Sequence, residues 1–492
     1  MPFFASRMRT AAGYGQKRPP VRAAPARMGD VLAEQIQVWE NDPASSGLVS
    51  VDKPAIDQPP FQFSFPPPRP NPDSDTSTLN FRYWNAAAAL TRGVQFWGPA
   101  VAPETDWFGG PILDVRLNVG VRWNAGYDRR ALNFFRGQLA QGTFIYAAES
   151  PDLLSHELGH AMLDVAQRQL WHSANEEIAA FHESFGDVSA ILCALQLESM
   201  RSSILASTSG NIYAASRLSR IAEQFGTALH SLFPADADCD CLRNAHNSFC
   251  YAPPASLNPS GPSSTLTAKP HSFSRVYTGA ILEILAGMLA VHPVATPDQL
   301  RDITIELRDI MIEAVTQAPL VPQYYASVAA KMMLAAASKN PAYQAVFRSV
   351  FVRRLILSLE SATAILTSVT PKDDTGFAGQ DIEHSYTPKV GPIPSAHYGL
   401  DQPLYVELPA DPAETIARSA ARNGRSIEPL SVEDAARTFV DRLFINGLVD
   451  YGESEGKGRR NREPGDTFSP VQSTHRIERI DDRLMLRRTE IH

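Results

Sequence analysis

His156, Glu157 and His160 form an HExxH motif in the pentapeptide His-Glu-Leu-Gly-His. On an α-helix, side chains four residues apart lie one above the other, so both imidazoles can reach a single ion about 2 Å away. In that arrangement the two histidines bind zinc, and the carboxylate between them acts on a water molecule. The alternative is that the two histidines lie on a solvated helix face, and the rest of the sequence must decide between the two.

The residues around the motif predict a helix. Ser150 suits the N-cap, and Pro151 suits the first helical position, where its missing N–H costs nothing. Asp152 is favourable to the positive end of the helix dipole. An apolar stripe recurs at steps of three and four residues, at Leu154, Leu158, Ala161 and Val165. Gly159 is a poor helix former, so we expect another element to pack closely against that turn.

Catalytic zinc usually has three protein ligands, so a third ligand must come from elsewhere. Residues 175–197 read as a second helix. Its candidate ligands are Glu176, Glu177, His182 and Glu183. We favour Glu183, because Asp187 lies four residues later on the same face and can accept the second N–H of a ligating histidine, His156. The alternatives are His182 as the ligand, or a solvated surface acid at Glu183 or Asp187.

With these residues the sequence resembles the thermolysin-type zinc peptidases, the gluzincin group with HExxH and a downstream Glu. The resemblance also includes residues 124–128 and 132–134, an edge-strand segment whose Asn124-Ala125 pair would bind the substrate backbone, and residues 142–145 before the motif. Arg243 and His271 fall where the family places an Arg and a His that hold the substrate carbonyl and the oxyanion. The similarity extends over residues 78–360.

The resemblance implies an α+β fold with two lobes and a zinc cleft between them. We therefore expect four regions: an N-terminal extension at 1–77, a β-rich lobe at 78–150, an α-helical lobe with the zinc site at 151–365, and a C-terminal extension at 366–492. The implied activity is peptide-bond hydrolysis, with one catalytic zinc ion, peptide or protein substrates and a preference for apolar side chains.

Two departures concern the oxyanion. The family has a Tyr after the zinc helix, whereas Trp171 and His172 stand there in this chain. Either residue could substitute as a donor, or the interaction could be absent. The Asp that partners the oxyanion His is also missing, since Leu266 and Thr267 occupy its neighbourhood.

A third departure concerns calcium. Asp152 stands at one position of the family's calcium-binding acids, but Ala194 stands at another. Calcium is therefore possible, yet the sequence does not support it.

The mechanism expected from the residues assigns Glu157 as general base and later proton donor. Arg243 and His271 would stabilise the oxyanion; their alternative roles are a loop salt bridge and a helix cap. Residues 112–123 alternate apolar and polar side chains, which predicts one strand that ends at Asn124-Ala125 and pairs with an extended peptide.

The composition and charge of the chain limit the classes of function to be considered. A hydrophobic content of 44% and a charged content of 20% are typical of a folded soluble protein. The net charge of −8 argues against nucleic acid as a main partner. Glu283 interrupts the longest apolar segment, so we predict a buried helix and no membrane span. The N-terminus has no signal-peptide h-region, which leaves a cytoplasmic location, export without a classical leader, or a trimmed chain.

Four cysteines are present, Cys193, Cys239, Cys241 and Cys250. Cys193 lies on the apolar face of the second helix and is expected to be a core thiol. The other three flank Arg243; we favour free thiols or one disulfide over a second metal site, because their spacing is not a strong zinc pattern.

Outside the site, the patterns predict disorder at 1–30, short β elements at 31–51, and a helix at 79–97. The proline-rich residues 54–72 read as a linker or strap, or as a segment that occupies the cleft. Further helices are expected at 296–315, 322–337, 341–359 and 431–446, a polar loop at 452–471, and a hairpin at 474–491 around Asp481-Asp482.

Three classes of function compete. The leading interpretation is a zinc metalloendopeptidase. The second is a zinc-containing scaffold or binding protein of the same fold with weak or no turnover, favoured by the missing Tyr and Asp. The third is a structural protein in which the histidine pair is incidental, which Glu157, Glu183 and Asp187 together argue against.

Overall fold

The computed structural model describes residues 34–55, 60–70, 75–101, 106–139, 142–368, 388–452 and 473–491. The predicted disorder of residues 1–30 and nearly all of the predicted loop at 452–471 lie outside these residues.

The described residues form a mixed α and β structure. Their eleven α-helices are α1 Leu79–Trp97, α2 Pro151–Ala166, α3 Glu176–Ala194, α4 Glu198–Ser207, α5 Glu223–Leu232, α6 Pro270–Ala290, α7 Pro297–Gln317, α8 Tyr324–Lys339, α9 Pro341–Arg353, α10 Leu359–Ser368 and α11 Val432–Ile445. Their fifteen strands are β1 Gln35–Trp39, β2 Leu48–Asp52, β3 Phe61–Phe63, β4 Leu113–Arg116, β5 Ala125–Tyr127, β6 Ala131–Phe134, β7 Arg136–Gln138, β8 Phe144–Tyr146, β9 Arg220–Ile221, β10 Arg243–Asn244, β11 Val390–Ile393, β12 Leu404–Glu407, β13 Val449–Asp450, β14 His475–Ile480 and β15 Arg483–Arg488. Most helices lie in one continuous part of the chain, between two parts that hold most strands, so the fold class is α+β.

Helix ends with local capping signals were predicted well. Helix α1 has the predicted bounds, and Thr78 caps it by accepting from the Phe81 N–H. Thr296 caps α7 and Ser431 caps α11 in the same way. Gly447, just beyond α11, has a φ of 68°, the left-handed conformation that favours glycine at a helix stop.

Ser150 lies at the predicted N-cap position, but it does not make the hydrogen bond that a capping side chain would make. Ser150 is the N-cap residue of α2, but its side chain accepts no hydrogen bond from the helix. Its hydroxyl instead donates to Asp42 Oδ2 at 2.8 Å. A buried acid from the N-terminal part of the chain competes for the hydroxyl, and such a long-range partner is invisible to a local capping rule.

The single strand expected at 112–123 was also wrong. Only Leu113–Arg116 forms a strand there, and Ala125–Tyr127 forms a separate one. Val119 and Val121, which the pattern assigned to a buried face, are 45% and 53% exposed. The alternation continues in the sequence after Arg116, where the backbone forms only single hydrogen bonds and an isolated bridge instead of a continuous strand.

The first sheet has four strands in the order β3-β4-β6-β5, with β5 at one edge. Strand β3 belongs to the proline-rich segment and pairs in parallel with β4 at the opposite edge. Phe63 and Phe65 of this segment pack on Tyr83 of α1. The described part of the segment is therefore a strap at the sheet edge remote from β5, and the alternative that the segment occupies the cleft stays a prediction for residues 56–59 and 71–72, which lie outside the described residues.

The second sheet has five strands in the order β11-β12-β15-β14-β13. Its β14–β15 hairpin was predicted, and Asp481 and Asp482 both have positive φ at the turn. This sheet and α11 share a buried apolar cluster with Ala174 and Ala179, at the beginning of α3. Arg442 of α11 also pairs with a carboxylate of α3, so the C-terminal region is packed against α3.

The buried helix expected around Glu283 is α6. By length and composition α6 could cross a membrane, but 78% of its most apolar window is buried inside the structure, as in the core helix of a folded domain. Glu283 pairs with Arg354, the residue that follows α9, at 2.9 Å. All four cysteines are free thiols; Cys193 and Cys241 are buried.

Helices α2 and α3 pack closely at Gly159. A Cβ atom built there would lie 2.8 Å from Ser189 Cβ and 3.0 Å from Gly186 Cα, both on α3. The sequence-based expectation of close packing at this turn is confirmed, since no larger side chain fits without movement of one helix.

We expect Gly159→Val to lower the free energy of unfolding by about 1–3 kcal/mol, because the added methyl groups must push α2 from α3. Urea denaturation measures the change. Gly47→Val is the matched control, since a Cβ atom at Gly47 meets nothing within 4 Å. Equal midpoints for the two variants would contradict the packing argument.

Candidate metal centre

Three buried side chains from two helices converge on one point. His156 and His160 come from α2 and Glu183 from α3, and one ligand atom of each lies within 4.8 Å of the others. In the part of the chain that the structure describes, this is the one group of three or more His, Cys, Asp or Glu side chains that could hold a metal ion. The structure therefore brings together the three ligands predicted from the sequence.

The spacing of the donor atoms fits a tetrahedral metal site. The Nε2 atoms of His156 and His160 are 3.1 Å apart, and His156 Nε2 is 3.6 Å from Glu183 Oε2. Ligands about 2 Å from a tetrahedral ion lie about 3.3 Å from one another. Two nitrogens and one carboxylate oxygen form a donor set that suits zinc.

Asp187 orients His156, as expected. Its carboxylate lies 3.0 Å from His156 Nδ1, so the opposite ring nitrogen, Nε2, faces the other ligands. Burial would lower the pKa of His156. Its hydrogen bonds with Asp187 and Glu183 outweigh this effect and raise the pKa to about 9. The contact also leaves the neutral imidazole with its lone pair on Nε2 when a metal binds.

Arg243 has a partner that the sequence did not assign to it. The guanidinium donates to both oxygens of Asp187, from Nε at 3.0 Å and Nη2 at 2.7 Å. Although burial would raise the pKa of Asp187, Arg243 and His156 together lower it to about 2. Arg243 is 7% exposed, so its first role is to hold the carboxylate that orients His156.

Glu157 lies beside the ligands in a dry environment. It is 2% exposed, and its Oε2 atom has no hydrogen-bond partner among the described residues. Burial raises its pKa to about 8; His156 and Arg243 oppose this rise, while the charge of Glu183 adds to it. A carboxylate in such a place is suited to exchange a proton near neutral pH.

His271 lies at the open side of the centre. Its Nε2 atom is 2.9 Å from Glu183 Oε2, and its side chain is 43% exposed. Burial would raise the pKa of Glu183, but His271, His156 and His160 hold it well below its usual range. Thr267, in the neighbourhood where the resemblance would place an aspartate, donates its backbone N–H to the Ser272 hydroxyl at 2.9 Å.

His182, the alternative third ligand, lies behind the centre. Its ring centroid is 6.0 Å from that of His160, and it is fully buried. Burial lowers its pKa well below the usual value, so the ring is neutral. The group of potential ligands includes Glu183 and not His182.

Trp171 and His172 are engaged elsewhere. The Trp171 indole donates to the backbone oxygen of Arg488 at 3.1 Å, and His172 Nδ1 accepts the backbone N–H of Arg488 at 3.3 Å. Trp171 is 2% exposed. The sequence left open that the Trp171 N–H could serve as an oxyanion donor. In this structure that alternative was wrong, because the N–H already donates to Arg488.

Arg488 was missed by the sequence analysis. It is 8% exposed at the end of β15, and its charge interacts with that of Glu183. Burial lowers its pKa to about 10. It lies about three hundred residues beyond Glu183 in a region outside the family resemblance, so no local pattern could have placed it at the centre.

Asn124 and Ala125 lie where a peptide could pair with the sheet. Ala125 begins β5, and the backbone oxygen of Asn124 accepts from Phe135 N on the β6 side. Because peptide groups alternate along a strand, those of Ala125 and Tyr127 face the opposite side, away from β6. Strand β5 also packs against α2, the helix that carries both histidines.

Asp152 has a structural role. Its Oδ2 atom accepts from the Ala222 N–H at 3.1 Å and from the Asn41 side chain at 3.4 Å. Burial raises its pKa well above the usual value, and Asp42 adds to the rise. These two donors partly compensate the burial of this acid.

No protein-family model matches the chain, and no curated protein matches its sequence.

We expect Asp187→Asn to weaken zinc binding by about 10- to 100-fold, because His156 loses the charged acceptor that fixes its tautomer. A competition titration with a chromogenic chelator measures the dissociation constant. Asp164→Asn is the matched control: it also breaks a buried pair, with Arg129 at 2.6 Å, and its aspartate likewise lies on one of the two ligand helices. Equal zinc affinities in the two variants would contradict the orienting role.

Proposed function

We propose that this protein is a zinc-dependent metalloendopeptidase of the thermolysin-like type. The observation that carries the proposal is the buried convergence of His156, His160 and Glu183 with Glu157 beside them. Helices α2 and α3 pack so that these polar groups face one another. Burial of such groups costs stability, and clusters of this kind are typical of functional sites.

The donor set supports zinc as the cofactor. When bound by His156, His160 and Glu183, zinc would lower the pKa of a water molecule and polarise a peptide carbonyl. Glu157 would remove the proton from that water through Oε2 and pass it to the leaving amine. His271 is exposed enough to turn from Glu183 toward the developing oxyanion.

The arrangement of elements supports a peptide as the substrate. The edge of β5 that faces away from β6 can hydrogen-bond an extended backbone, which is one of the recurring ways in which proteins bind extended peptides. Strand β5 packs against α2, which carries both histidines. A two-lobed arrangement, with β-rich and α-helical lobes on either side of the cleft, is part of the proposal.

A second candidate is a zinc-containing scaffold or binding protein with weak or no turnover. The specific observation in its favour is that Trp171 and His172, at the family's oxyanion tyrosine, are both bound to the backbone of Arg488. One expected donor to the tetrahedral intermediate is then missing, and such a donor contributes about 3–4 kcal/mol.

We expect Glu157→Gln to retain stoichiometric zinc and to lower peptide cleavage at least about 10²-fold, because the amide cannot accept the proton. Elemental analysis measures the metal, and mass spectrometry of a digested peptide library measures cleavage. Glu198→Gln, at an exposed position of α4, is the control and should cleave as the unaltered protein does.

The outcomes separate the candidates. Undiminished cleavage by Glu157→Gln would refute the mechanism. Stoichiometric zinc without any cleavage by the unaltered protein would favour the scaffold, and the absence of zinc would refute both.

A further inference from the structure

The last described residues of the chain lie on the edge of β5. The N–H of Tyr127 donates to the backbone oxygen of Ile491 at 2.9 Å, and the N–H of Ile491 donates to the backbone oxygen of Tyr127 at 2.9 Å. The two residues form an antiparallel bridge. Residues 489–491, which we term the C-terminal strap, thus use the backbone groups that the proposed function assigns to a peptide substrate.

The strap is fixed at both ends. At its start, the backbone of Arg488 is held by Trp171 and His172, in the segment that joins α2 to α3. At its end, Ile491 is 2% exposed and belongs to the main apolar core. Its side chain therefore fills an apolar site, as the anchor residue of a bound peptide would.

Charges on the strap act on the centre. The carboxylate of Glu490 is close enough to Glu157 to add to the rise of the Glu157 pKa, and Arg122 interacts favourably with Glu490. Arg488 interacts with Glu183. Glu490 of the strap and Arg488 just before it therefore carry charges that act on Glu157 and Glu183, and the strap connects the second sheet to β5.

We propose that the C-terminal strap is an intramolecular occupant of the substrate site, and that the peptides which replace it are extended segments with an aliphatic side chain at the position of Ile491. This inference rests on the proposed function for the identity of the site. The exchange involves no covalent step: the strap leaves the edge of β5, and a peptide forms the same backbone pair in the same antiparallel direction.

The first test uses the full-length zinc-loaded protein and Ile491→Asp, which opposes burial of the strap. Ile445→Asp is the control, since Ile445 is 71% exposed on α11. In Ile491→Asp we expect amide exchange at Tyr127 to accelerate at least tenfold. The labelled peptide Leu-Arg-Arg-Thr-Glu-Ile, the sequence of residues 486–491, should bind this variant and slow the exchange again, but should bind neither the control nor the unaltered protein.

Cleavage of a peptide library gives the second readout. We expect kcat/KM of Ile491→Asp to rise at least tenfold over that of the control, with aliphatic residues enriched at one position of the cleaved peptides. Unchanged Tyr127 exchange together with equal cleavage by all forms would overturn the strap proposal and leave the peptidase intact. Peptide binding with restored protection, but no cleavage by any form, would support the strap and refute the peptidase.

A second variant keeps the test decisive if Ile491→Asp does not fold. Ile491→Ala retains the backbone N–H and removes only side-chain volume, so it should show the same changes to a smaller extent. If Ile491→Asp does not fold, Ile491→Ala decides: faster Tyr127 exchange and peptide binding support the strap, and behaviour identical to that of the unaltered protein overturns it.

Discussion

The close contact between α2 and α3 is the constraint on which the metal centre depends. Gly159 on α2 and Gly186 on α3 allow the two backbones to approach, and a Cβ atom at Gly186 would lie 2.7 Å from His156 Nδ1. At this separation Glu183 and Asp187 reach across to His156. The spacing that packs the core therefore also sets the distances between the ligands, and a change in either glycine alters both.

The same closeness buries ionisable groups, and a buried charge costs free energy unless it has a partner. Asp187 is stabilised by Arg243, and Glu183 by His271 and the ligand histidines. Glu157 differs from Asp187 and Glu183 in its pKa, which burial raises to about 8. Neighbouring positive charges thus stabilise the ionised forms of Asp187 and Glu183. The proposed proton-transfer group, Glu157, keeps a raised pKa.

The parts of the site that could be predicted from sequence are those with a local signal. Helical spacing places His156 and His160 on one face, and the same spacing relates Glu183 to Asp187. What could not be predicted depends on residues far apart in the chain. The separation of β5 from the alternating segment before it and the position of Arg488 both follow from tertiary packing, which no helix or strand period encodes.

As proposed, the C-terminal strap would compete with peptides for the edge of β5. A competing peptide forms the same two backbone hydrogen bonds as Ile491, so these bonds contribute little to the choice between strap and peptide. The choice depends on the aliphatic anchor and on tethering, which gives the strap an effective concentration on the order of millimolar. Because Arg488 is also bound by Trp171 and His172, a peptide at micromolar concentration competes poorly. If the strap occupies the substrate site as proposed, access would depend on the packing of the second sheet and α11 against α3 more than on the affinity of any one peptide.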